Sequence, residues 1–130
     1  MCFALAFTIA ACGGGSGASA TDRSVRVILG HLRFAPDTVT VEAGTRVKFV
    51  LVNSDAIDHE FALGTEEVQQ RYESMMMGGH AMMRSSGSAA VPAGETVELT
   101  HTFDEPGTLI YGCHLPGHYG GGMRGTVTVT

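Results

Sequence analysis

The chain has no tryptophan, one lysine, four prolines and three cysteines. The shortages of basic residues and of cysteine each remove a class of protein. Eight Lys and Arg against thirteen Asp and Glu leave a formal charge of −5, which excludes the basic surface that nucleic-acid binding or polybasic membrane attachment needs. No apolar run reaches the roughly 20 residues that cross a bilayer as a helix. Three cysteines make no disulfide framework, so a fold of 130 residues has to rest on one packed core. The 44% hydrophobic content is enough for that core. Glycine is abundant, at 18 residues, and the apolar residues fall in short Val- and Thr-rich runs between turns. That distribution reads as all-β.

The first eleven residues, MCFALAFTIAA, are apolar, and Ile9-Ala10-Ala11-Cys12 places a cysteine behind small residues. The pattern resembles the leader and lipobox of a bacterial lipoprotein, with Cys12 as the lipidated residue. No Lys or Arg precedes the apolar stretch, so residues 1–11 read as an export signal shortened at its start. Residues 12–23, with the run GGGSGASA, read as lipidation site and flexible linker, and residues 24–130 as the folded domain. Cys2 lies in the leader and Cys12 is the lipid site, which leaves Cys113 alone in the domain. An exported domain with one idle thiol would oxidise it, and metal ligation is a protected use.

From Ser24 onward, apolar residues alternate with polar ones. Val25, Val27 and Leu29 share one face, as do Val47, Phe49 and Leu51; Val97, Leu99, His101 and Phe103 form a third set, and Leu109, Tyr111 and Cys113 a fourth. Pro36 opens a run to Val41, His59 begins a short strand to Leu63, and Thr126 to Thr130 closes the chain. Thr65 to about Met77 breaks the alternation: an N-cap residue, Glu66 and Glu67 in the first turn, and no Gly or Pro before Gly78 predict a helix. The expected fold is a Greek-key β-sandwich of about seven or eight strands with a short helical insertion.

The chemistry is concentrated in Tyr111-Gly-Cys-His-Leu-Pro-Gly-His-Tyr-Gly-Gly-Gly-Met123, which sets Cys113, His118 and Met123 at C-x₄-H-x₄-M spacing. His59, after the polar loop Asn53 to Asp58, supplies a second imidazole. Two His, one Cys and a weak axial Met are the ligand set of blue-copper electron-transfer sites. A soft thiolate shares electron density with the metal and imidazoles serve both Cu(I) and Cu(II), so little rearranges when an electron arrives.

From about Val25 to Thr130 the chain resembles the cupredoxins, the family of plastocyanin, azurin, auracyanin and rusticyanin. The loop spacing is similar to that of auracyanin and rusticyanin, and the His-Glu-Phe-x-Leu-Gly-Thr run before a Met/His helical segment is similar to periplasmic copper-tolerance cupredoxins. The resemblance implies one type 1 copper held by His59, Cys113, His118 and Met123. It implies a one-electron carrier of the periplasm or cell envelope, not an enzyme, that exchanges electrons with redox proteins near the His118 edge, among Leu115, Pro116 and Met123. Glu60 departs from the family, because azurin and plastocyanin carry an Asn there whose hydrogen bonds tie the ligand loops.

His114 should point away from the copper and lie exposed beside the site. His101 should be a hydrogen-bonded core or barrel-end residue, and His31 a solvent-facing turn residue. Met75, Met76, Met77, His80, Met82 and Met83 gather five of the seven methionines within nine residues. They are a candidate second Cu(I) site, or else an apolar cover beside the copper loop. The first of these supports an alternative function, periplasmic copper tolerance or buffering. No nucleic-acid partner is expected, membrane contact is expected only through the lipid, and a monomer is the default.

Overall fold

The structure, a computed structural model, describes residues 21–79 and 85–130. Strands β1 (Thr21–Gly30), β2 (Arg33–Ala35), β4 (Thr45–Asn53) and β7 (Thr96–Phe103) make one sheet in the order β2-β1-β4-β7. Strands β3 (Thr38–Val41), β5 (His59–Gly64), β6 (Ser88–Val91), β8 (Gly107–Gly112) and β9 (Arg124–Val129) make the other, in the order β3-β9-β8-β5-β6. Among the described residues one helix, α1 (Glu66–Met77), follows β5. The pairs β1 with β4 and β3 with β9 are parallel, and the rest are antiparallel.

The alternation explains the sandwich. β1 and β4 pair with Val25 opposite Phe49 and Val27 opposite Leu51, so one parity of both strands faces inward. Val27, Leu29, Val47, Phe49 and Leu51 are fully buried. From the other sheet come Phe61, Tyr111 and Val127. Each such side chain contributes about 1.5–3 kcal/mol by leaving water. Phe61 stacks on Tyr111 at 5.1 Å between ring centres, and Phe34 meets Tyr111 edge-on at 5.2 Å. The Tyr111 hydroxyl donates to Pro36 O at 2.7 Å. Its ring lies over Gly125, where any Cβ would collide with it.

The described residues form nine strands, one more than the upper figure of the expected seven or eight. The extra one is β2, whose three residues are too few to show a period. β1 starts at Thr21, three residues before the expected domain boundary at Ser24, because Thr21 to Arg23 already pair with Thr45 to Val47. α1 matches the sequence reading closely. Its acids Glu66 and Glu67 sit at the positive end of the helix dipole, and Gly78 closes it with an N–H to Ser74 O at 3.2 Å. Thr65 occupies the N-cap position but makes no side-chain cap hydrogen bond to the helix backbone. α1 covers the outer face of β5 and β8, so Ala62 is fully buried despite its outward parity.

Candidate metal centre

Three ligand atoms, from His59, Cys113 and His118, lie within 4.8 Å of one another. Cys113 Sγ is 3.4 Å from His118 Nδ1 and 4.0 Å from His59 Nδ1. Both imidazoles thus present the same ring nitrogen to the thiol. Met123 is fully buried and close to these three. The four come from the start of β5, the end of β8 and the loop before β9.

That loop is folded by its own backbone. Cys113 N–H donates to Met123 O at 3.1 Å, and Met123 N–H to His118 O at 3.0 Å, so cysteine, histidine and methionine are stapled around one point. Gly117 and Gly122 take φ of +81° and +97°, the left-handed region in which a Cβ is strained. His118 is half-buried. With Nδ1 turned to the sulfur, its opposite ring edge is the outward one. Leu115 is half-buried and Pro116 exposed beside it, whereas Met123 lies wholly inside and forms no part of that surface, contrary to the sequence expectation.

Burial pushes the Cys113 thiol up to about 11. The Glu60 and Leu115 backbone N–H groups oppose this by pointing at the sulfur, the first at 3.3 Å, while the Glu60 and Glu73 carboxylates add to it. Those N–H donors favour a thiolate once a cation is present. His118 is held below the ordinary histidine range, first by burial and then by its neighbour His59. A neutral imidazole is what a metal needs. The His59 Nε2 faces the Asp55 carboxylate at 2.9 Å, and that bond, with the His31 backbone N–H, holds Asp55 below the usual carboxylate range.

Glu60 carries out by other means the tying expected of an Asn. Its backbone donates to the Cys113 sulfur and its carboxyl accepts from the His114 backbone N–H. Burial raises the Glu60 carboxyl, and its Oε2 has no hydrogen-bond partner.

His114 corrects one expectation. It does turn away from the sulfur, but it is only 1% exposed, because α1 covers the face that it enters. Its Nε2 meets Gln69 Oε1 at 2.7 Å and its Nδ1 meets Glu73 Oε1 at 2.8 Å. Gln69 and Glu73 stand one helical turn apart and grip both ring nitrogens. Gln69 is fully buried, and its amide nitrogen also donates to Ala62 O at 2.9 Å and Ile110 O at 2.8 Å. Tyr119 stacks on His114 at 4.6 Å, and Arg124 lies over Tyr119. The residue next to Cys113 is therefore clamped to the helix. Burial lowers the His114 pKa, and Glu73 opposes that shift.

The remaining histidines divide. His31 is an exposed turn residue, as expected, with φ of 53°. His101 is half-buried against Phe103 at 4.7 Å, with burial lowering its pKa, and among the described residues no hydrogen bond holds its ring. Met75 and Met76 are half-buried and Met77 is 86% exposed at the end of α1. Consecutive helical residues fan to different sides, so one ion cannot collect all three while α1 persists. Met75 and His101 line a common groove of about 270 Å³ beneath α1. His80, Met82 and Met83 lie outside the described residues, as does Cys12.

A buried thiol, two imidazole nitrogens and a thioether are soft and borderline donors that suit copper in either of two oxidation states, with no carboxylate among them to favour a hard cation. The donor set fits a cupredoxin-type copper centre. The chain belongs to the copper-binding proteins of the plastocyanin/azurin family, which matches residues 21–130. It is a copper-binding electron-transfer protein rather than an enzyme. It is 36% identical over 114 residues to the copper-resistant cuproprotein CopI of Rubrivivax gelatinosus, covering 86% of this chain and 69% of that protein. It is 30% identical over 119 residues to auracyanin-B of Chloroflexus aurantiacus, covering 82% and 51%. The solved structure of auracyanin B superposes with a TM-score of 0.71 at 28% identity, over 83% of this chain and 88% of that one.

Proposed function

We propose that His59, Cys113, His118 and Met123 hold one copper, and that the protein passes single electrons between redox protein partners outside the cytoplasm. The convergence of three donors within 4.8 Å, with a buried thioether beside them, carries this reading. When bound, copper supplies a one-electron change between Cu(II) and Cu(I). The protein's part is to keep the donors fixed in both states and to leave the His118 edge open for electrons. No helix among the described residues is long and apolar enough to cross a membrane, and attachment through a lipid on Cys12 is the proposed anchor. The carrier acts as a monomer. The test is to reduce the copper protein with ascorbate and reoxidise it with ferricyanide: reversible bleaching at constant copper content supports a carrier, and loss of copper on reduction overturns it.

The similarity to a copper-resistant cuproprotein favours a second reading, in which the chain also buffers Cu(I) through its methionine segment. Met75, which shares the groove beneath α1 with His101, is the described residue best placed for this. Copper content after Cu(I) loading should then exceed one per chain and fall to one when residues 75–83 are deleted. An unchanged content would assign those methionines to packing.

A further inference from the structure

We propose that Asp55 is a positioning residue for the copper ligand His59, and that its carboxylate biases the site toward Cu(II). The inference rests on the copper reading above and concerns a residue outside the ligand set.

The carboxylate is built into place. Asn53, at the end of β4 and only 2% exposed, donates through Nδ2 to Ile57 O at 2.8 Å and to Val91 O at 2.9 Å. Its Oδ1 accepts the Asp55 backbone N–H at 2.9 Å, an Asx turn that fixes where Asp55 starts. The Asp55 Oδ2 then accepts two hydrogen bonds, from the His31 backbone N–H at 2.8 Å and from His59 Nε2 at 2.9 Å. The first donor comes from the β1–β2 turn, where His31 and Leu32 both take positive φ. The carboxylate is thus tied to two strand connections, and its side chain is 18% exposed.

The direction of the effect follows from the tautomer. His59 Nδ1 faces the sulfur, and with copper on that nitrogen the ring proton has to sit on Nε2, 2.9 Å from the Asp55 carboxylate that accepts it. A carboxylate acceptor draws that proton outward and makes Nδ1 a stronger donor. A doubly charged ion gains more from this than a singly charged one. Partners of ligand imidazoles change metal affinity by 10- to 100-fold, and the lower figure, applied to Cu(II) relative to Cu(I), is about tenfold or about 59 mV.

Asp55→Asn is the test, because the amide oxygen keeps an acceptor for both N–H groups while the charge is removed. The midpoint potential of the variant should rise by about 59 mV with the charge-transfer band intact. Asp58→Asn, which removes a carboxylate on the same loop bonded instead to the Ala93 N–H, should not move it. An Asp55→Asn protein with wild-type potential overturns the inference, and so does an equal shift in Asp58→Asn. A wild-type protein with no charge-transfer band would fail the copper reading instead, so the two failures are distinct. A second measurement needs no variant. In the Cu(I) protein the His59 Nε2 proton should be far downfield by NMR and slow to exchange; exchange as rapid as that of the exposed His31 ring overturns the inference.

Discussion

Replacing Gln69 by Met keeps the length of the side chain and removes all its hydrogen bonding. In the native chain that side chain, fully buried, makes three bonds: to the carbonyls of Ala62 and Ile110, on two neighbouring strands, and to the ring of His114. Each is worth about 1 kcal/mol net, so the loss is about 3 kcal/mol. For a domain of this size about 1 kcal/mol moves Tm by roughly 4 °C, which gives a fall of about 12 °C. The assay is thermal unfolding by circular dichroism, on copper-free and copper-loaded protein. Gln70→Met, at the exposed neighbouring position, should change Tm by no more than about 2 °C. A fall below about 4 °C in Gln69→Met would refute the claim that this amide ties the helix to the copper loop.

Copper uptake should release the Cys113 proton, and with the thiol pushed up to about 11, apparent affinity should rise about tenfold per pH unit through neutrality, as competition with a chelator will read. Below its ordinary value of 9.0 the buried thiol is neutral in the folded and unfolded chain alike, and the copper-free fold loses stability as pH rises from there through about 11, because ionisation is opposed by burial; urea melts of wild type against Cys113→Ala across that range should show the difference. Met123→Leu should keep copper and raise its midpoint potential by at least one tenfold step, about 59 mV in voltammetry, because the thioether that would donate to the metal is gone. Gly112→Ala would set a Cβ 2.7 Å from the Tyr119 ring and 3.0 Å from Gln69 Oε1, so Tyr119 must leave its stack on His114; a Tm within about 2 °C of wild type would contradict that packing.

The four proposed ligands were legible in the sequence because a type 1 site needs residue types that are rare together, and three of them lie on one loop at fixed spacing. His59 stands out by its place after a polar loop, and the structure sets its Nδ1 near the thiol. The strands were legible wherever alternation ran for four residues or more. β2 was not, and neither was anything that depends on how α1 lies on the sheet. The burial of His114 follows from that docking: a strand-parity rule gives the side to which a side chain points but not what covers it. Gln69 and Glu73 carried a signal in their i, i+4 spacing, yet nothing local says that an imidazole 41 to 45 residues away fills the gap between them. Asp55 had a weaker sign, a carboxylate four residues before a ligand histidine. Its meaning depends on the Asn53 turn and on the His31 N–H brought from another strand connection.

Cu(II) titration of the protein, read together by visible absorption and metal content and repeated on Cys113→Ala, tests the central claim most directly. One copper per chain with an intense thiolate-to-copper band, absent from the variant, is the expected result. Copper bound without that band, or a band of equal strength in Cys113→Ala, would contradict it.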